Sequence, residues 1–234
     1  NSGLLKRTSN NFQMHPTVKV VALFDEEVNS TKMGVPVHQV KEFSKKFSIG
    51  CSISSKPHLK LAMLDYNSYS DMVEKRWKNM AVYYIAIIPE GYGTITKLPF
   101  FNDPLIKYNL TLRDQVNIAD GLKKLCQVLL AAGASELYPS IPNQKIIKNN
   151  QDIEKLPNIL DPKISNFMTV HLFSSCPIGE NKNYCIANSY GKVFNTQNLY
   201  ISDASMIPSA PGVNPQGTIM ALARKNIQKI ISLL

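Results

Sequence analysis

The stretch from 208 to 226 reads PSAPGVNPQGTIMALARKN and runs from an irregular segment directly into a helical pattern. Three prolines and two glycines lie within 208–217. The apolar spacing that follows predicts a helix over 216–234. A connecting loop rarely needs a backbone this restricted, whereas a helix N-terminus aimed at a ligand does. The junction between loop and helix is therefore the first candidate for a functional site.

The start of this helix has backbone N–H groups without helical partners and a partial positive charge, which suits an anionic or electron-rich ligand. Asn214, just before it, can cap the helix or donate from its amide to a ligand oxygen. Asp203, which follows a predicted strand at 198–202, can bind a hydroxyl or cap the next turn, and the turn is the simpler role. The helix carries an apolar stripe opposite its charged and polar residues: Ile219, Leu222, Ala223, Ile227, Ile230, Ile231 and Leu234.

Composition indicates a globular chain. It has 234 residues, of which 44% are hydrophobic and 18% charged, and no apolar run approaches the roughly 18 residues of a membrane span. The net charge is 26 − 17 = +9. Because Lys and Arg are scattered and do not alternate with aromatic residues, a solvated basic surface explains the charge, and no nucleic-acid partner is predicted. A basic module that binds anionic surfaces remains the alternative.

The cysteines and histidines show few groupings that indicate a metal site, a disulfide or a catalytic site. The four cysteines have no CxxC spacing and no nearby histidine cluster, so no metal site is predicted, and a disulfide between Cys176 and Cys185 is left open. His171 ends an apolar stretch before a loop of small residues with Pro and Gly, where an imidazole can face a cleft. A single histidine in such a place is more often structural. The other three, His15, His38 and His58, are assigned structural or surface roles.

The coarse pattern predicts a sheet-rich middle and one long helix. The helix begins at TLRD, where Thr111 can cap it, and ends at Gly133. Its predicted core face consists of Ile118, Leu122, Leu125, Cys126 and Leu129. The other predicted elements are a strand at 17–24, a short helix at 68–79, an antiparallel hairpin of 81–88 with 94–100, a strand at 104–110 and a connecting segment at 139–165.

Two stretches carry a resemblance to a known family. VHLFSSCPIG at 170–179, followed by GKVFNTQNLYISDASMIPSAPGVNPQGTIMALARKN at 191–226, resembles the carboxyl-terminal signature of the glucose-methanol-choline (GMC) flavoprotein oxidoreductases. Within that family the GVNP..TI.ALA..N portion is most similar to the cholesterol oxidases. A weaker similarity covers NNFQMHP at 10–16 and the segment beginning at DPLIKYNL.

This resemblance implies FAD as cofactor and oxidation of an alcohol carbon, with hydride passing to flavin N5. The partner would be a small-molecule alcohol, sugar or sterol. His171 falls on the catalytic histidine of the family and Asn214 on the second catalytic position. By that analogy His171 accepts or orients the alcohol proton, and Asn214 holds the substrate oxygen.

The resemblance also implies the cofactor contacts. Asp203 and Ala204 fall where the backbone of the family approaches the ribityl and phosphate portion of FAD. Asn214, Pro215, Gly217 and Thr218 fall where the helix start meets the pyrimidine end of the flavin ring. A positive helix end there would favour a flavin that becomes anionic on reduction.

The G-x-G-x-x-G fingerprint that the family carries near its amino terminus is absent. We therefore expect the carboxyl-terminal half of a larger enzyme of α/β (α+β) class, with the missing N-terminal half as its partner. Residues 15–165 would form a substrate-binding domain around an antiparallel sheet with helices on one side. Residues 1–14 and 166–234 would belong to an FAD-binding, Rossmann-like domain. A non-catalytic relative remains an alternative, and the compartment is left open with a cytoplasmic location as the default.

Overall fold

The computed structural model of the chain describes residues 11–163 and 165–232. The chain divides into two compact units: unit 1 comprises Asn1–His15, Pro89–Thr111 and Thr169–Leu234, and unit 2 comprises Pro16–Ile88 and Leu112–Met168. The predicted domain boundaries lie within a few residues of this division at both ends. They differ from it for 89–111, which group with unit 1 and not with the predicted substrate-binding domain. Most of the predicted 1–14 segment, and Leu234, lie outside the described residues.

Short strands and helices alternate along the described chain. The strands are β1 (Gln13–Met14), β2 (Thr17–Phe24), β3 (Gln39–Val40), β4 (Phe47–Cys51), β5 (Met80–Ile87), β6 (Gly93–Thr96), β7 (Leu105–Tyr108), β8 (Ala134–Pro139) and β9 (Leu172–Phe173). The helices are α1 (Lys56–Ala62), α2 (Tyr69–Arg76), α3 (Leu112–Ala131), α4 (Asn150–Glu154) and α5 (Gln216–Ile231). Single 3₁₀ turns cover Trp77–Asn79 and Ala204–Met206. The fold is therefore mixed α/β with antiparallel sheets, as predicted.

Unit 2 is built around a five-stranded antiparallel sheet with the order β3-β4-β5-β2-β8. The central pair, β2 and β5, runs in register from Thr17 opposite Ala86 to Leu23 opposite Met80. Both strands are rich in Val, Ile and Ala, which pack well on a pleated surface. The predicted strands at 17–24 and 81–88 are confirmed.

Helices cover both faces of this sheet. Side chains alternate along a strand, so Val21 and Leu23 point to one face and Ala22 to the other. Val21 and Leu23 lie in a buried cluster with residues of α1 and α2. On the opposite face α3 packs so closely that a Cβ added at Gly121 would lie 3.0 Å from the ring of Phe47. The prediction of helices on one side only is therefore wrong, because β2 is buried on both faces.

Helix α3 closely follows the prediction. Its described span, Leu112–Ala131, begins one residue after Thr111 and ends just before Gly133, whose φ of 94° is the left-handed conformation that glycine adopts at helix ends. All five residues of the predicted core face are buried: Ile118, Leu122, Leu125, Cys126 and Leu129.

Three other predictions need correction. The strand at 94–100 does not pair with 81–88: β6 pairs with β7, with Gly93 opposite Tyr108, and β5 lies inside the five-stranded sheet. The predicted strand at 198–202 has a single bridge, Lys192 with Tyr200, and no ladder. The connecting segment at 139–165 contains the short helix α4, which Asn149 caps through its side chain. In the first case, β5 pairs on both sides inside the five-stranded sheet, which leaves β6 to pair with the next strand along the chain.

Unit 1 combines the β6–β7 hairpin, the β1–β9 ladder and α5. Phe12 exchanges backbone hydrogen bonds with Gly93, which ties the first described residues to the hairpin. A buried cluster of Phe173, Ile207 and Ala210 packs against Ile219 and Leu222 of α5. A second cluster contains Ile186, Ala187 and Val193.

The apolar stripe predicted on α5 is only partly covered in the described chain. Ile219 and Leu222 pack on the cluster around Phe173, but Ile227 is 50% exposed and Ile231 is 63% exposed. The one buried residue of α5 is Asn226. Helical spacing identifies an apolar face, but it does not say what covers that face. Within the described residues, no helix is both long enough and apolar enough to cross a membrane.

Candidate active site

A two-residue ladder places two histidines opposite each other in unit 1. In the antiparallel pairing of β1 with β9, Gln13 lies opposite Phe173 and Met14 opposite Leu172. The same register continues by one residue, and the His15 N–H donates to the His171 carbonyl at 3.3 Å. The ladder thus joins two residues that are 156 positions apart in sequence.

The imidazoles of these histidines are in direct contact. Their Nδ1 atoms are 3.1 Å apart, and the rings meet edge to face with centroids 5.2 Å apart. Phe173 packs against His15 with ring centroids 4.9 Å apart. His15 is 2% exposed, while His171 is half-buried. Burial lowers the pKa of His171 below its ordinary value, because desolvation disfavours the charged imidazolium. His171 is therefore neutral at neutral pH.

Thr169 holds the backbone of His171 in place. Its Oγ1 accepts a hydrogen bond from the His171 N–H at 3.1 Å and donates to the His171 carbonyl, also at 3.1 Å. The His171 carbonyl also accepts a hydrogen bond from the His15 N–H, so both the N–H and the carbonyl of His171 are held. His171 is thus presented from a constrained backbone.

The loop 208–214 is anchored to the β1–β9 segment by three hydrogen bonds. Ser174 Oγ donates to the Pro208 carbonyl at 2.7 Å, and the Ala210 N–H donates to Gln13 Oε1 at 2.8 Å. The Gly212 N–H donates to His15 Nε2 at 3.1 Å. Gln13 and His15 are both buried, so these bonds are shielded from water. The loop that leads into α5 is therefore held by the same segment that contacts His171.

The start of α5 is exposed and has no side-chain cap. The N-cap residue is Pro215, which makes no side-chain capping hydrogen bond. Asn214 is exposed and lies one residue before the N-cap position. Pro215 is buried, whereas Gly217 and Thr218 are exposed.

Among the described residues, no contact and no backbone conformation requires glycine at position 217. Its φ lies outside the left-handed region, and a Cβ added to it would meet nothing within 4 Å. In a helix, glycine costs about 1 kcal/mol relative to alanine. Glycine at such a position fits the close approach of a group that lies outside the chain. The open helix end and Gly217 are compatible with a flavin at this point.

Asp203 and Ala204 belong to the second part of the predicted site. The Asp203 carboxylate accepts from the Ser205 N–H at 2.8 Å and so caps the 3₁₀ turn Ala204–Met206. Ala204 packs on the cluster around Phe173. The turn role of Asp203 is present in the structure, and its predicted contact with FAD remains a prediction.

The structure thus joins His171 to the loop before Asn214 through a residue that sequence reasoning had assigned a structural or surface role. His15 bonds to both. The signal was present in NNFQMHP, where the family resemblance was weaker, but no local pattern pairs 15 with 171. Gln13, which anchors Ala210, was missed for the same reason.

The structure also shows the state of the four cysteines and the grouping of side chains that can bind metals. All four cysteines, including Cys176 and Cys185, are free thiols. Burial raises the pKa of the Cys126 thiol to about 12, as expected for an inert core residue. In 11–163 and 165–232, no three His, Cys, Asp or Glu side chains are grouped to hold a metal ion.

Comparison with known proteins assigns the family. The profile described as GMC oxidoreductase matches residues 91–223, which include His171, Asp203 and Asn214. An uncharacterized GMC-type oxidoreductase of Sinorhizobium fredii is 38% identical over 233 residues, covering 99% of this chain and 46% of that protein. The chain belongs to the GMC oxidoreductase family. It spans less than half the length of this relative.

Two further proteins are similar to this chain. A long-chain-alcohol oxidase of Arabidopsis thaliana is 27% identical over 177 residues, covering 69% of this chain and 23% of that protein. The crystal structure of pyridoxine 4-oxidase from Mesorbium loti matches with a TM-score of 0.62 at 13% identity, covering 94% of this chain and 43% of that one. This structural match supports the fold alone. GMC oxidoreductases are generally FAD-dependent.

Proposed function

We propose that this chain is the C-terminal part of an FAD-dependent GMC oxidoreductase that oxidises a CH–OH group to an aldehyde or ketone. The observation that carries the proposal is the contact between His171 and the buried His15, which also holds the loop leading to Asn214. Unit 1 would contribute to the FAD-binding domain, and unit 2 would form the substrate-binding domain. The N-terminal half of the same enzyme would supply the rest of the FAD site.

The proposed reaction removes two electrons and two hydrogens from the alcohol. When bound, FAD would accept the carbon-bound hydrogen with its electron pair as a hydride, while the hydroxyl hydrogen leaves as a proton. His171 would accept that proton or orient the hydroxyl group, since its imidazole is neutral and half-buried. Asn214 would hold the same oxygen through its exposed side-chain amide.

The start of α5 suits FAD in charge, and Gly217 suits it in shape. The uncapped start of α5 supplies backbone N–H groups and a partial positive charge, which would favour the reduced, anionic flavin. Gly217 leaves the helix surface open for close approach. Asp203 and Ala204 would lie beside the ribityl and phosphate portion, with Asp203 keeping its turn in shape.

A visible absorption spectrum of the full-length protein tests the proposal. We expect a flavin spectrum that bleaches on anaerobic addition of one class of compound from a panel of primary alcohols, sugars and sterols. The panel includes long-chain alcohols and sterols because relatives of this chain are named long-chain-alcohol oxidase and cholesterol oxidase. A folded full-length protein without bound flavin would overturn the proposal.

Replacing Gly217 by alanine tests the position of the cofactor. The added methyl group should fill the space through which FAD approaches α5, so the Gly217→Ala variant should bind FAD at least about tenfold more weakly, a change of about 1.4 kcal/mol. Stability of the flavin-free protein should not fall, because the chain itself offers no clash. FAD titration and thermal unfolding measure the two effects.

Gly34→Ala is the matched control for this variant. Gly34 also has open space around an added Cβ and a φ outside the left-handed region, but it lies in unit 2. It should leave FAD affinity unchanged. Equal FAD affinity in Gly217→Ala and wild type would remove Gly217 from the cofactor site.

A further inference from the structure

The protonation state of His15 follows from its hydrogen bond with the loop. Its Nε2 atom accepts from the Gly212 N–H at 3.1 Å. A ring nitrogen that accepts a hydrogen bond from a backbone N–H uses its lone pair and carries no proton. His15 is therefore a neutral imidazole. Since a neutral imidazole keeps one proton, that proton is on Nδ1.

The proton of His15 in turn determines that of His171. The two Nδ1 atoms are 3.1 Å apart, within hydrogen-bond distance, and only one of them can donate. Because His15 Nδ1 holds a proton, it donates and His171 Nδ1 accepts. A neutral His171 must then carry its own proton on Nε2.

We propose that His15 is a positioning residue that fixes His171 as the Nε2-protonated neutral tautomer, so that His171 presents a hydrogen-bond donor to the oxygen of the substrate. The part concerning substrate rests on the proposed function. Of the two roles left open for His171, accepting the hydroxyl proton or orienting the hydroxyl group, this tautomer selects orientation, and the hydroxyl proton then passes to a solvent water molecule. A donor aimed at that oxygen stabilises the negative charge that develops on it.

Packing around the pair supports a single arrangement. The two rings are almost perpendicular, at 87°, and the ring of Phe173 lies against His15. The ladder fixes the backbone of both histidines, and Thr169 fixes that of His171. Burial also lowers the pKa of His171, which opposes a second proton on its Nδ1. Neither ring needs to move for His15 to donate.

Imidazole ¹⁵N NMR of the full-length, FAD-loaded protein labelled at histidine tests the tautomer without reference to activity. The His171 signals, assigned by their loss in His171→Gln, should show a protonated Nε2 and an unprotonated Nδ1 at neutral pH. In His15→Phe, which removes the donor but keeps a flat ring, this preference should be lost. A proton on Nδ1 of His171 in the wild-type protein would overturn the proposal.

Two amide variants separate the role of positioning His171 from the role of holding the loop. In His15→Asn the side-chain amide can occupy the place of Nδ1 and donate to His171. In His15→Gln the amide reaches the place of Nε2 and can accept only from Gly212. We expect His15→Asn to keep kcat within about fivefold and His15→Gln to lower it about 10- to 100-fold, with KM little changed in both.

The outcomes distinguish this inference from the proposed function. A His15→Gln variant that is as active as His15→Asn, with the same flavin content, would show that His15 serves only the loop. If both amide variants fail to fold, the tautomer in the wild-type protein decides. If no alcohol bleaches the flavin but His171 carries its proton on Nε2, the tautomer holds and the substrate assignment fails. The exposed His38 provides the control, since His38→Gln should change none of these signals.

Discussion

Replacing His171 by alanine in the full-length protein should lower kcat/KM for the alcohol that reduces the flavin by about 10²- to 10⁴-fold. Loss of a positioned acid–base group or of a donor to a developing oxyanion has effects of this size. The half-buried imidazole and its contact with His15 are the observations behind the role proposed for His171. Stopped-flow measurement of anaerobic flavin reduction gives the chemical step directly.

Two controls distinguish a loss of catalysis from a loss of folding or of flavin binding. Bound flavin of His171→Ala should match the wild type, and its free energy of unfolding should fall by no more than about 1–3 kcal/mol, the cost of leaving the buried His15 Nδ1–H without its acceptor. His38→Ala, which removes an exposed histidine, should retain full activity. A His171→Ala variant that reduces its flavin at the wild-type rate would favour the non-catalytic alternative for this residue.

Replacing Leu122 by alanine should destabilise the protein by about 2–5 kcal/mol. Leu122 is 1% exposed and belongs to the face of α3 that packs on the five-stranded sheet. Removing its side chain loses apolar burial and leaves a cavity that close neighbours can fill only in part. Denaturant-induced unfolding of unit 2, which contains Leu122, measures the change in the free energy of unfolding.

The same substitution on the same helix provides its control. Leu112, the first residue of α3, is 64% exposed, so Leu112→Ala should change the free energy of unfolding by about 0.5 kcal/mol or less. Equal losses for the two variants would mean that the predicted face of α3 is not its core face in the full-length protein.

Local sequence patterns were sufficient where one element decides its own structure. The span of α3 and its buried face follow from helical spacing and from Gly133 at its end. The strands at 17–24 and 81–88 follow from their β-branched and aromatic composition. The irregular segment before α5 follows from its prolines and glycines. These features depend on neighbours a few residues away, which a single sequence contains.

Other features depended on partners that the local pattern does not name. The pairing of β6 with β7, and the helices on both faces of the sheet, differ from prediction because several strands compete for each edge and each face. The apolar stripe of α5 leaves Ile227 50% and Ile231 63% exposed, because burial also needs a covering surface. Helical spacing gives only the face.

The sequence by itself determined the family and the α/β class, and it singled out His171 as a candidate, since these depend on contiguous motifs. Only the tertiary structure decided that His15 is the partner of His171. The reason is the short antiparallel ladder of β1 with β9, which brings together residues 156 positions apart and leaves no periodic signal. The register of this ladder sets which side chains face each other, and so it sets His15 against His171. This contact determines which nitrogen of His171 carries the proton.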